Sequence, residues 1–200
     1  MHNPGPAHVT ALKRALRYLA ATTDKGLVYE FGPNGKSKSC KTGVYGHYDA
    51  SHADCPDTLK STLAYVKFFE GGPLSWHTKL HSLLTTSTNH SEYCAAAKAA
   101  REAKWIEKIF IFLGFACFVK PIDLFSDSKG SIAMTYNPVQ RSASKHVDLA
   151  DHYAREMQEL GVITISYVST LDMIAGLLTK ALGRPAFTRL VEYLVKRIPE

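Results

Sequence analysis

Residues 42–78, TGVYGHYDASHADCPDTLKSTLAYVKFFEGGPLSWHT, hold three extended stretches in quick succession: Thr42 to Asp49, Ser61 to Glu70 and, behind the turn signal Gly71-Gly72-Pro73, Pro73 to Thr78. Short polar and glycine-rich connections part them, as they part strands. Strands this close in sequence predict an antiparallel meander, because parallel neighbours need a crossover of a dozen or more residues.

Beyond the meander the chain changes character. Ser91 to Leu113 is rich in Ala, Glu, Lys and Leu and lacks Pro and Gly, which predicts one long helix stopped at Gly114. Ile122 to Ser126 is a short apolar run closed by Asp127. Ser128 to Tyr136 reads as a helix ended by Asn137-Pro138, and a second helix is expected from about Ser144 to Leu160, with Gly161 as its stop. Val162 to Val168 alternates like a strand, and Leu171 to Ala181 and Pro185 to Arg197 read as two more helices. On the N-terminal side, Val9, Leu12, Leu16 and Leu19 recur at helical spacing over residues 6–20, followed by a short strand from Leu27 to Phe31. The glycine-, serine- and lysine-rich stretch 32–41 reads as a loop, and a domain boundary fits there. Three strands, a helix, then strand, helix and strand predict an α/β fold with a mixed five-stranded sheet flanked by helices, carrying an N-terminal helix-strand appendage.

The 200 residues, 46% hydrophobic and 21% charged, suffice for one well-buried core with a small appendage. A formal net charge of +6 biases the chain toward polyanions. Cys40, Cys55, Cys94 and Cys117 are widely spaced, with no CxxC pair, and read as thiols in a reducing, intracellular compartment. The opening MHNPGPAHV lacks the regions of a signal peptide, and the apolar run from Ile109 to Val119 falls short of the roughly 20 residues a bilayer span needs.

Three acids stand out by position. Asp49 and Asp127 each close an apolar run at its C-terminal end, where ligand sites of open α/β sheets lie. Glu92 is expected in the first turn of the long helix, where an acid also favours the helix dipole. Each alone reads equally as a solvated acid, and spacing leaves a metal site and three surface carboxylates both open. Lys98, Arg101, Lys104 and Lys108, at steps of three and four, form a basic stripe that reads either as a phosphate-contacting face or as an ordinary solvated one.

GHYDASHADCPDTLKSTLAYV, GGPLSWHTK, STNHSEYCAAAKAAREAKW, LFSDSKGSIAMTYNPV, SKHVDLADHY and YVSTLDMIAGLLTKAL follow one another. In this order they resemble the ribonuclease H domain of Ty1/copia-type retrotransposon Pol polyproteins. The opening residues resemble the segment joining a reverse transcriptase to that domain. The division expected is therefore 1–41 for the end of the reverse transcriptase connection and 42–200 for the ribonuclease H-like domain.

The resemblance implies a ribonuclease H-like fold and hydrolysis of the RNA strand of RNA:DNA hybrids during reverse transcription, with two Mg2+ or Mn2+ ions and a reverse transcriptase domain in cis or in trans. Carried over residue by residue, the catalytic and metal-binding acids are Asp49, Glu92 and Asp127. Thr88 and Asn89 match a polar stretch that touches the hybrid, and Lys98 and Arg101 are expected to meet its backbone. Lys180, Arg184 and Arg189 are weaker candidates.

The family's fourth acid falls at Gly176, in Asp172-Met173-Ile174-Ala175-Gly176-Leu177-Leu178-Thr179-Lys180. Asp172, one turn away, is read as a helix cap rather than a replacement. Ser51 and His52 stand where relatives often carry Asp and Trp. His146 and His152 read as packing or capping residues without a catalytic role. The alternative that Gly176 raises is a copy that has lost catalysis and at most binds nucleic acid or packs against a reverse transcriptase.

Overall fold

The computed structural model describes residues 4–30, 43–119, 121–136 and 152–198. From the N-terminus its elements are α1 (Pro6–Ala20), β1 (Lys25–Gly26), β2 (Tyr45–Ser51), β3 (Thr62–Phe69), β4 (Gly72–Leu80), α2 (Thr88–Phe112) and β5 (Ile122–Ser126). There follow α3 (Lys129–Tyr136), α4 (Tyr153–Glu159), β6 (Ile163–Tyr167), α5 (Gly176–Thr179), α6 (Arg184–Val191) and β7 (Lys196–Arg197). Strands β2 to β6 form one mixed sheet in the order β4-β3-β2-β5-β6. The meander β2-β3-β4 is antiparallel, and β5 and β6 join β2 in parallel.

Local chemistry explains the joins. Between β3 and β4 the chain reverses on Glu70 and Gly71, at φ 47° and 73°. Two consecutive left-handed residues make the hairpin turn whose twist suits the flanking strands, and a glycine relieves half of the strain. Gly46 in the central strand answers a different need: a Cβ there would stand 2.7 Å from the Val66 carbonyl oxygen and 3.1 Å from Lys67 Cδ. The glycine lets β2 and the Lys67 side chain of β3 approach.

Two cores lie on the two faces of the sheet. On one, α2 lays Ala95, Ala96, Ala99, Ala100 and Ala103 against Tyr48, Leu63, Ile122, Leu124 and Ile163. Alanine combines the best helix propensity with a small side chain, so this helix forms readily and sits close to the strands. On the other face, Met173, Ile174 and Ala175, just ahead of α5, and Leu190 of α6 cover Val66 and Phe68. Ser87 starts α2 by accepting a hydrogen bond from the His90 N–H at 3.2 Å, and Gly114, at φ 82°, follows its last turn.

Several boundaries differ from expectation. Helix α2 starts at Thr88 rather than Ser91, so Glu92 stands in its second turn, where the helix dipole does little for it. The N-terminal strand is Lys25–Gly26 rather than Leu27 to Phe31, and its partner is Lys196–Arg197, which sequence periodicity places in a helix. Tertiary pairing wins there: Arg197 Nε bonds Asp24 Oδ2 at 2.8 Å and Lys196 Nζ bonds Glu30 Oε1 at 2.8 Å. The helix expected from Leu171 to Ala181 is instead a 3-10 turn at Thr170–Asp172 followed by the single turn of α5. Residues 32–41, where a domain boundary was expected, and His146 lie outside the described residues, as does most of the N-terminal half of the helix expected from Ser144.

Gly46→Ala tests the close approach. The added methyl should lower stability by about 1–3 kcal/mol, the usual cost of overpacking, and the urea midpoint in metal-free buffer measures it. An unchanged midpoint would show that the two strands part at no cost.

Candidate active site

Parallel pairing aligns the first two acids. Tyr45, Gly46 and His47 stand beside Asp123, Leu124 and Phe125, and the same register carried two residues further sets Asp49 beside Asp127. Helix α2 brings Glu92 across the end of these strands. Carboxylate oxygens of Asp49, Glu92 and Asp127 all lie within 4.8 Å of one another. Asp49 and Glu92 are buried and Asp127 is half-buried.

Gathering three acids in so little water raises their appetite for cations. Burial, followed by the charges of Asp49 and Asp127, pushes the Glu92 carboxyl up to about 8, even though the Ala50 N–H donates to it. Glu92 Oε2 is buried without a hydrogen-bond partner. Burial also raises Asp49, although Thr179 and Lys180 counter part of that effect. Thr179 Oγ1 donates to Asp49 Oδ2, and Lys180 Nζ lies 2.9 Å from Asp49 Oδ1. Desolvation works against the Lys180 ammonium, yet its hydrogen bond and charge pairing with Asp49 outweigh this and leave its pKa raised. An all-oxygen donor set with an orphaned buried oxygen fits a hard dication such as Mg2+ or Mn2+.

Gly176 is where the fourth acid was expected. It is buried and lines, with Asp127 and Lys180, a cavity of about 190 Å³ whose apolar walls include Leu171, Met173 and Leu190. A Cβ at Gly176 would meet only Met173 Cγ, at 4.0 Å, so a side chain has room. Asp172 is no substitute: it is exposed and pairs with Arg189 at 3.2 Å. Nor is it the cap of α5, since Ser169 caps the preceding 3-10 turn and Asp172 ends it.

The cleft over the acids, about 410 Å³, is lined by Ala50, Ser51, His52, Thr88, Ser128 and Lys180 along with Glu92 and Asp127. His52 Nδ1 lies 3.1 Å from Thr85 Oγ1, which in turn is 2.6 Å from Ser61 Oγ, so this polar chain braces the β2-β3 loop. Thr88 lines this cleft. Asn89 is exposed; its side chain stands where Gly130 lacks a Cβ, and it accepts from Ser128 Oγ at 3.5 Å. Lys98 and Arg101 line a separate recess of about 480 Å³ with Tyr65, His77, Glu102 and Trp105. Lys104 is taken by Glu107 at 2.5 Å, which leaves the expected basic stripe uneven. His152 packs against Tyr93, its Nδ1 3.0 Å from the phenol oxygen. Sequence reasoning misses the bonds of Thr179 and Lys180 to Asp49; their place in the Leu-Thr-Lys of the fourth-acid motif is the available signal.

Known proteins give this geometry a family. No family model matches the chain. The retrovirus-related Pol polyprotein from transposon RE1 of Arabidopsis thaliana is 32% identical over 200 residues, all of this chain and 13% of that protein. The corresponding polyprotein from transposon RE2 of the same plant is 34% identical over 187 residues, 94% of this chain and 12% of that protein. The chain therefore spans only a small part of the relatives it matches. Among solved structures, the foamy viral protease-reverse transcriptase in complex with RNA/DNA hybrid superposes with a TM-score of 0.51 at 14% identity, over 80% of this chain and 22% of that one, a likeness of fold. The fold is ribonuclease H-like, and the chain belongs to the Ty1/copia-type, retrovirus-related Pol polyproteins.

Proposed function

We propose that residues 42–200 are the ribonuclease H domain of such a polyprotein and hydrolyse the RNA strand of RNA:DNA hybrids, with residues 1–41 as the end of the reverse transcriptase connection. The convergence of Asp49, Glu92 and Asp127 carries this reading. Together they would hold divalent metal, which when bound lowers the pKa of water and stabilises charge at a phosphodiester. Glu92, raised by burial and its acidic neighbours, would give up its proton to ligate such a cation. Thr88 and Ser128 at the cleft offer hydroxyls to a sugar-phosphate backbone, and Lys98 and Arg101 offer charge further along α2. Helix α1 supports a polymerase partner, in cis or in trans, since Val9, Leu12, Leu16 and Leu19 are all exposed along it. An intracellular setting goes with this reading. Among the described residues no helix is long and apolar enough to cross a membrane.

Gly176 favours a second reading, a site that binds hybrid without cutting it. Cleavage of a labelled RNA:DNA hybrid with Mg2+ and with Mn2+ separates the two. The natural chain should cut slowly, Gly176→Asp should cut faster by about tenfold or more, the scale of one transition-state charge interaction, and Asp127→Asn should not cut. Failure of both the natural chain and Gly176→Asp would sink the enzyme reading, and binding alone would support the second.

Two further outcomes follow from charge. The folded Glu92 carboxyl lies above the value of a free glutamate, so its contribution to stability is whole below about pH 4.5, the free value, and is lost as pH rises through about 8. In EDTA, the Tm should fall between about pH 5 and 8.5, and Glu92→Gln should flatten that slope. Replacing Lys98 and Arg101 by Ala should weaken hybrid binding and reduce the slope of log K against log salt by about one for each phosphate no longer neutralised. An unchanged slope would return both side chains to a solvated face.

A further inference from the structure

Away from the acids, the recess between α2 and the edge strand β4 combines aromatic rings with cations. Lys98, Arg101, Glu102 and Trp105 stand three and four residues apart on one face of α2 and line it together with Tyr65 and His77. Tyr65 of β3 and His77 of β4 are register partners whose rings stack, centroids 5.5 Å apart and planes 18° from parallel. Trp105 is 57% exposed, and among the described residues no aromatic ring contacts it. Arg101 stands over the Tyr153 ring, its Cζ 5.5 Å from the centroid, which helps to fix the guanidinium. The acid of the recess is already engaged: Ser75 Oγ donates to Glu102 Oε1 at 2.5 Å, and the Tyr65 hydroxyl bonds Glu102 as well. Burial, then the charges of Lys98 and Lys79, lower the His77 pKa, so its imidazole is a neutral ring beside those cations.

We propose that this recess takes an unpaired base of single-stranded nucleic acid, stacked on Trp105, with the adjoining phosphates on Lys98 and Arg101. This goes beyond the hybrid reading above, in which those two side chains meet backbone alone. A duplex keeps its bases stacked inside and brings only sugar and phosphate to a protein surface, so it would leave the rings of the recess unused. An unpaired strand uses rings and cations together, the combination found where single strands are bound without regard to sequence. Charge selects a polyanion, since Lys98, Arg101 and the neighbouring Lys79 face an acid that Ser75 and Tyr65 already hold. The place is separate from the catalytic cleft: Thr88 and Arg101 lie about 20 Å apart along α2.

The chain has two tryptophans. Trp76 lies on the other face of β4, paired with Val66 and one strand repeat from Thr78, whose hydroxyl donates to the Leu178 carbonyl. In Trp76→Phe, therefore, indole fluorescence reports the recess. In EDTA, so that no strand is cut, oligo(dT) should quench that emission saturably. An abasic oligonucleotide of equal length carries the same phosphates without bases; it should bind about tenfold more weakly or worse and leave the emission unchanged. In the otherwise natural chain, Trp105→Ala should weaken binding of dye-labelled oligo(dT), followed by anisotropy, about tenfold. The slope of log K against log salt should stay the same, because no phosphate contact is lost, and Trp105→Phe should restore most of the affinity. Absence of quenching by oligo(dT), equal binding of the abasic strand, or equal quenching by a fully paired RNA:DNA hybrid would each overturn the proposal. An unchanged affinity in Trp105→Ala would do the same even if Trp76→Phe failed to fold. None of these outcomes touches cleavage of the hybrid, so the ribonuclease H reading stands or falls separately.

Discussion

Parallel pairing of β2 with β5 sets Asp49 and Asp127 side by side at one end of the sheet, and two carboxylates so placed repel each other. Helix α2 adds a third acid to the pair. The fold must hold this repulsion in place, and it does so with a buried core: the alanine face of α2 packed with Tyr48, Leu63 and Leu124. A helix so closely seated cannot swing Glu92 away into water. The strain at the site and the packing beneath it are therefore two sides of one arrangement, and weakening the alanine face would loosen the acids first.

The opposite face of the sheet supplies the counterweight. Residues 173–175 are buried against Val66 and Phe68, and this anchors the short α5 that follows. From there Thr179 and Lys180 reach Asp49. A four-residue helix has little stability of its own, since a first turn fixes several residues for few hydrogen bonds. Its position depends on the buried residues ahead of it and on the two bonds to Asp49, so α5 and the acid orient each other.

Much of this is legible in the sequence, for physical reasons that differ by element. The meander and α2 can be read because strand alternation, turn residues and an alanine-rich run are local signals, and each ends within a few residues of its expected place. Asp49 and Asp127 stand out because the ends of apolar runs mark ligand sites in α/β sheets, and Glu92 because it opens the long helix. The C-terminal segment misleads where a local pattern meets a distant partner. Lys196 and Arg197 sit in an apolar-periodic stretch, yet they pair with Lys25 and Gly26 across almost the whole chain, and no window of sequence contains both.

Glycine at position 176 leaves the three acids together, and the geometry explains why. The glycine stands at the head of α5, beside a small and largely apolar cavity. Thr179 and Lys180 are still in place and still hold Asp49, so the remaining three acids keep their convergence without the fourth. A glycine here is structurally mild, because the fold responds to volume and hydrogen bonds, and what it leaves different at the cluster is charge.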